Sequence, residues 1–171
     1  MSTRTYYDPL HHSIKLNSLI PEEKMVMELI DSSPFQRLRR IKQLGPAYLT
    51  FHGAESSRFT HSLGVFHIAR RAINHLSELD SRLKEHKFIL YAAALLHDLG
   101  HGPLSHTSEE IFKINHEAWT GKLINSNEEI NKAKILEIIY EAEPGLNSMP
   151  SQETTGYITY SDKFLYVCLL Y

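Results

Sequence analysis

The chain has 171 residues, 18 of them Lys or Arg against 20 Asp or Glu, with 42% hydrophobic and 22% charged residues. That length suits one domain with a real hydrophobic core, and the composition excludes a disordered chain. A formal charge of −2 excludes a broad electrostatic nucleic-acid surface, while leaving room for a small basic pocket. Cys168 alone cannot make an internal disulfide and fits a reducing compartment. No apolar run approaches the ~20 residues needed to cross a bilayer, and the first eight residues lack the apolar core of a signal peptide. A soluble cytoplasmic protein is expected.

Taken in chain order, the pattern is helical. Pro21-Glu22-Glu23 opens a segment with Met25, Val26, Leu29 and Ile30 at helical spacing. Ser33 and Pro34 then suit the cap and first position of a helix with Phe35, Leu38, Ile41 and Leu44 on one side, ending at Gly45-Pro46. Arg37, Arg39, Arg40 and Lys42 lie elsewhere on it and read as a solvated face. Residues 47–57 read as a loop. A long helix runs from Arg58 to about Leu79, its apolar stripe made by Leu63, Phe66, Ala69, Ile73 and Leu76. Lys87 to Leu96 is apolar almost all round, as in a helix at the middle of a bundle, and Gly100, Gly102 and Pro103 force a turn after it. Further helices are predicted at about 104–113, 116–125 and 127–141. Residues 142–160 read as loop, and a last apolar segment spans 161–170. Tyr157 to Tyr160 is a weak strand candidate, so the fold class expected is all-α. Tyr91 and Trp119 read as core aromatics.

Four of the eleven histidines, His97, His101, His106 and His116, fall between residues 97 and 116. His97 and Asp98 sit where the most apolar helix ends, and burying them needs compensation. A divalent ion such as Zn, Fe, Mn or Ni suits imidazole with carboxylate, although a His-Asp pair also serves as an ordinary helix-end hydrogen-bond pair. Adjacent residues point about 100° apart on a helix, so one ion would need ligands from neighbouring helices as well. His61 and a later Asp are the candidates. His67 reads as a packing residue, and His75 and His86 as surface residues.

Several strings then occur in order. Asp8-Pro9-Leu10-His11 is followed by Pro34-Phe35-Gln36-Arg37-Leu38-Arg39-Arg40-Ile41-Lys42-Gln43-Leu44-Gly45 and by Arg58-Phe59-Thr60-His61-Ser62-Leu63-Gly64-Val65. Next come Ala94-Leu95-Leu96-His97-Asp98-Leu99-Gly100-His101-Gly102-Pro103-Leu104-Ser105-His106 and His116-Glu117. This series resembles the HD-superfamily metal-dependent phosphohydrolases, in particular the branch of deoxynucleoside triphosphate triphosphohydrolases. The resemblance is clearest over residues 6–120 and weak over 142–171, and it implies that 1–171 is a single HD phosphohydrolase domain, an all-α helical bundle with a metal site between central helices.

The resemblance implies that His61, His97, Asp98 and Asp162 hold a divalent metal ion, whether Mn, Fe, Mg, Zn or Ni. Asp162 opens the string Asp162-Lys163-Phe164-Leu165-Tyr166, which has Leu165 where the family has Asp; Tyr166 is implied in substrate binding. The family pattern continues into an Arg-Asp pair that touches the substrate sugar, where this sequence has Leu169-Leu170, so a bundle short at its C-terminus is expected. His106 is implied as the catalytic acid, with Glu109 holding it. The i, i+3 spacing places these two on one helix face. His101 and His116 would line the phosphate channel, Arg58 would bind phosphate, and Gln43 and Leu44 would contact the sugar.

The function so implied is hydrolysis of a dNTP to deoxynucleoside and triphosphate, by a protein that can form a homo-oligomer; the composition points away from a membrane and disfavours nucleic acid without excluding it. One alternative is a nucleoside monophosphatase or another HD phosphoesterase. Another, motivated by Leu165, is a catalytically defective HD protein that binds a nucleotide or a protein partner.

Overall fold

The computed structural model describes residues 2–132. The chain opens with a hairpin that the sequence reading missed, β1 (Thr3–Asp8) and β2 (His12–Asn17), paired antiparallel with Tyr6 opposite Ile14. Asp8 Oδ1 accepts the backbone N–H groups of Leu10 and His11 at 2.8 and 2.7 Å, and His12 takes a left-handed φ of 61° to close the turn. Ile14 and Leu16 alternate inward and are fully buried.

Helix α1 (Pro21–Asp31) buries Met25, Val26, Leu29 and Ile30. The next helix differs from expectation. Helix α2 spans only Ser33–Arg37 and continues as a 3₁₀ turn, Leu38–Arg40, with Ser32 rather than Ser33 at its N-terminal boundary. Ile41 then leaves the helix in an extended conformation, and Lys42 pairs as an isolated β-bridge with Ser57. A second 3₁₀ turn, Gly45–Leu49, lies within the stretch read as loop or helix end.

Helix α3 (Arg58–Leu79) has the expected extent and is capped by Ser57, whose Oγ accepts the N–H of Thr60. Leu63, Phe66 and Ile73 are buried, but Leu76 is exposed. After a 3₁₀ turn, Ser81–His86, comes α4 (Lys87–Leu96), packed against α3 and α1 with Tyr91 to Leu96 all buried. Short helices α5 (His106–Phe112), α6 (His116–Ser126) and α7 (Glu128–Lys132) complete the described part. Trp119 lies on the surface of α6 with the Lys122 ammonium 5.1 Å from its ring centre, so only Tyr91 of the two expected core aromatics is buried. The fold is an all-α bundle with one small hairpin. Among the described residues, no helix is long and apolar enough to cross a membrane.

Candidate active site

The apolar surface of α4 buries six residues in succession, and its last turn delivers His97 and Asp98 against the first turns of α3. His61 on α3 meets them there. His61 Nε2 lies 3.3 Å from His97 Nε2 and 3.5 Å from Asp98 Oδ2, and His97 Nε2 lies 3.4 Å from Asp98 Oδ1. His97 Nδ1 faces the carbonyl of Ala94 at 3.0 Å. A proton on that nitrogen leaves the Nε2 lone pair directed at the other two groups. The three donor atoms lie within 4.8 Å of one another. Ligands at about 2.0–2.2 Å from one small divalent ion stand at such separations, so the set fits an ion.

Asp98 is held on several sides. Its carboxyl is buried, which opposes ionisation, but hydrogen bonds from His101 and His97 and the charges of His97 and Arg58 outweigh burial and keep it well below the usual carboxylate range. Arg58 Nη1 donates to Asp98 Oδ2 at 2.6 Å in an ion pair whose side chains are 5% and 6% exposed. The rest of the guanidinium is engaged too. Nε donates to Ser105 Oγ at 2.9 Å, and Nη2 donates to the carbonyl of Gln43 at 3.1 Å and to Ser105 Oγ. The phosphate-binding role implied for Arg58 therefore starts from a side chain that already ties three segments together.

Ser105 is the junction of those segments. It has a φ of 56° and a ψ of −136°, a strained backbone for a residue with a side chain. Its hydroxyl donates to the Gln43 carbonyl at 2.9 Å, and its own carbonyl accepts from Ser108 Oγ at 2.6 Å. Gln43 is thereby fixed by its backbone, while Leu44 beside it is 48% exposed.

Beside the first centre lies a second cluster. The Nδ1 atoms of His101, His106 and His116 face the Glu109 carboxylate at 3.3, 2.9 and 3.0 Å. His101 is fully buried and also places Nε2 3.4 Å from Asp98 Oδ1, so one imidazole spans the gap between the two groups. Burial pushes the His101 imidazole below its ordinary value, with the neighbouring His116 and Arg58 charges acting in the same direction. Burial does the same to His61. Burial opposes ionisation of Glu109, yet the hydrogen bond and charge of His116 and the charge of His101 prevail and lower it.

Two positioning contacts go beyond what the sequence strings indicated. Arg37 was read as part of a solvated face, but it crosses to the turn after α4 and donates to the carbonyls of Leu99 and His101 at 2.6 and 2.8 Å. Gly100 lets α6 approach, since a Cβ there would strike the His116 carbonyl and the Thr120 backbone, and its N–H donates to Thr120 Oγ1 at 2.8 Å. His67 lies away from this centre, its ring 5.3 Å from that of His11. Asp162 and Tyr166 lie outside the described residues.

A helical bundle that gathers two histidines and an aspartate from the start of one helix and the end of another around one point has the donor set of a divalent-metal centre. Residues 58–164 match the model of the HD domain, and the chain belongs to that family. It is 43% identical over 146 residues to the uncharacterized protein YwfO of Bacillus subtilis, a match covering 83% of this chain and 31% of that protein. It is 41% identical over 112 residues to the deoxynucleoside triphosphate triphosphohydrolase SAMHD1 of Danio rerio, covering 64% of this chain and 17% of the relative. For the Homo sapiens protein of the same name the identity is 43% over 102 residues, covering 58% of this chain and 15% of the relative. The chain thus spans less than a third of the length of these relatives.

Proposed function

We propose that this chain carries the active site of a nucleotide phosphohydrolase that cleaves a dNTP to deoxynucleoside and triphosphate, with 1–171 as one HD domain. The observation that supports it most is the convergence of His61, His97 and Asp98 beside the cluster around Glu109, in a chain akin to named dNTP triphosphohydrolases. His61, His97 and Asp98, joined by Asp162, are the residues that would hold the ion. When bound, a divalent ion supplies an acidified water and neutralises charge on the attacked phosphoryl group.

The chain's own residues supply the rest. Arg58 fixes the carboxylate of Asp98 and, with substrate present, lends a guanidinium donor to phosphate. His106, whose side chain is 67% exposed, has Nδ1 oriented by Glu109 and keeps Nε2 as the proton donor for the leaving sugar oxygen. His101 and His116 line the phosphate path, the Gln43–Leu44 segment contacts the sugar, and Tyr166 is a further substrate-binding residue.

The test is product chromatography after incubation with Mn²⁺ and a panel of dNTPs, NTPs and monophosphates, with Asp98→Ala alongside. Deoxynucleoside and triphosphate from the wild type but not from the variant is the expected result. Phosphate released from monophosphates alone would move the assignment to a monophosphatase. No turnover by a folded, metal-loaded protein would move it to a binding role.

A further inference from the structure

We propose that His106, Glu109 and His116, backed by His101, form a second divalent-ion site that takes a zinc-like cation and, when filled, occupies Nδ1 of His106 so that the ring cannot become the imidazolium that gives up a proton from Nε2. The inhibitory consequence rests on the phosphohydrolase reading above, whereas ion binding rests on the cluster alone.

The cluster brings four donor side chains within 4.8 Å of one another, separate from the group of His61, His97 and Asp98. The Nδ1 atoms of His106 and His116 lie 2.9 and 3.0 Å from opposite oxygens of the Glu109 carboxylate. Those separations match neighbouring ligands around an ion bound at about 2.0–2.2 Å. Hydrogen bonding leaves the cluster incomplete. His101 Nδ1, on a fully buried side chain, and Glu109 Oε1 are both buried without a hydrogen-bond partner, although they lie only 3.3 Å apart. Glu109 Oε1 also lies 2.9 Å from His106 Nδ1 without a hydrogen bond between them, and a cation is a group that both of these atoms would accept.

Ring orientation decides which donors share the ion. An imidazole binds a metal in its own ring plane. His101 and His116 stack with centroids 3.9 Å apart and planes 12° from parallel, so the two cannot both direct a lone pair at one point. The ring of His106 stands at 83° to that of His116 and at 86° to that of His101. One ion can therefore lie in the planes of His106 and His116 with Glu109 as the anionic ligand, while His101 forms the wall beneath. His116 is the better partner because its Nδ1 already makes a well-formed contact with Glu109. Two imidazoles and a carboxylate suit Zn²⁺, Co²⁺ or Ni²⁺ and disfavour Mg²⁺, which demands an oxygen octahedron. The exposure of His106 gives the ion a route from solvent.

The test is equilibrium dialysis of the full chain against Zn²⁺ with elemental analysis, alongside circular dichroism. The wild type should bind two ions and the His61→Ala, His97→Ala double variant one. Adding His106→Ala and Glu109→Ala to that variant should remove the remaining ion. Changing the exposed side chain alone, His106→Ala, should weaken the second ion by about tenfold or more while leaving the first in place. A folded double variant that binds no more Zn²⁺ than the quadruple variant would overturn the site. Zn²⁺ added to Mn²⁺-loaded wild type should stop turnover over the concentration range that fills the second site, and full turnover with that site filled would overturn the inhibitory role. Two bound ions in a protein without phosphohydrolase activity under any condition would sink the functional reading and leave the ion site standing.

Discussion

The two histidine clusters are built differently. His61 stands in the first turn of the 22-residue α3, His97 and Asp98 follow directly on the buried end of α4, and the carboxylate among them is anchored by a buried guanidinium. The second cluster stands on the loop beyond that turn, at His101, and on the first turns of α5 and α6, and its His106 side chain is two-thirds exposed. A centre that must present several donors to one ion needs rigid supports, because a misplacement of less than an ångström loses a ligand. A proton donor that meets substrate at the mouth needs reach and water instead. On the proposed function the difference separates residues that hold from residues that act, and stability and activity should then respond to different substitutions.

The sharpest way to break that contrast is Arg58→Ala. Removing the guanidinium takes from buried Asp98 its permanently charged partner, leaving only imidazoles against it, and releases Ser105 and the Gln43 carbonyl. A loss of about 3–5 kcal/mol is expected in urea denaturation. A change below about 1 kcal/mol would show that the pair does not anchor the centre.

Acidification should lower stability in two stages in protein stripped of metal, through buried groups of both clusters. The folded-state values of His61 and His101 lie below the ordinary value because burial disfavours their charged forms. The unfolded chain therefore takes up protons first, and stability declines as the pH falls below about 6.5. Asp98 adds a second loss below about pH 4, where the unfolded carboxyl protonates and the folded one stays charged. Denaturation midpoints measured from pH 8 to 3 check the order; stability that rises between pH 6.5 and 5 contradicts it.

The smallest effect on stability belongs to His106→Ala, where little is buried. The denaturation midpoint should barely move, within about 0.5 kcal/mol, while turnover falls about 10²–10⁴-fold. Unchanged turnover would assign the acid elsewhere.

The parts that were legible in the sequence are those whose local signals agree. Helix α3 has a serine cap and a long apolar stripe, and α4 has an apolar surface on every side, so both have the expected extents. The hairpin escaped notice because its inward alternation rests on Ile14 and Leu16 alone, two residues too few to establish a period. The helix expected through Leu44 stops early because the tertiary fold draws Lys42 into a bridge with Ser57 and brings Gln43 to Arg58. Donor types at the candidate site could be read from motif strings. The use of Arg37 could not, since its carbonyl partners lie 62 and 64 residues away and carry no side-chain signature.

The central claim, that phosphoryl transfer to water takes place at the His61–His97–Asp98 centre, is tested most directly by hydrolysis of a dNTP in ¹⁸O-water with mass spectrometry of both products. The account predicts one labelled oxygen in the triphosphate, none in the deoxynucleoside, and loss of the reaction in Asp98→Asn. Label in the deoxynucleoside, or an Asp98→Asn variant as active as the wild type, would contradict it.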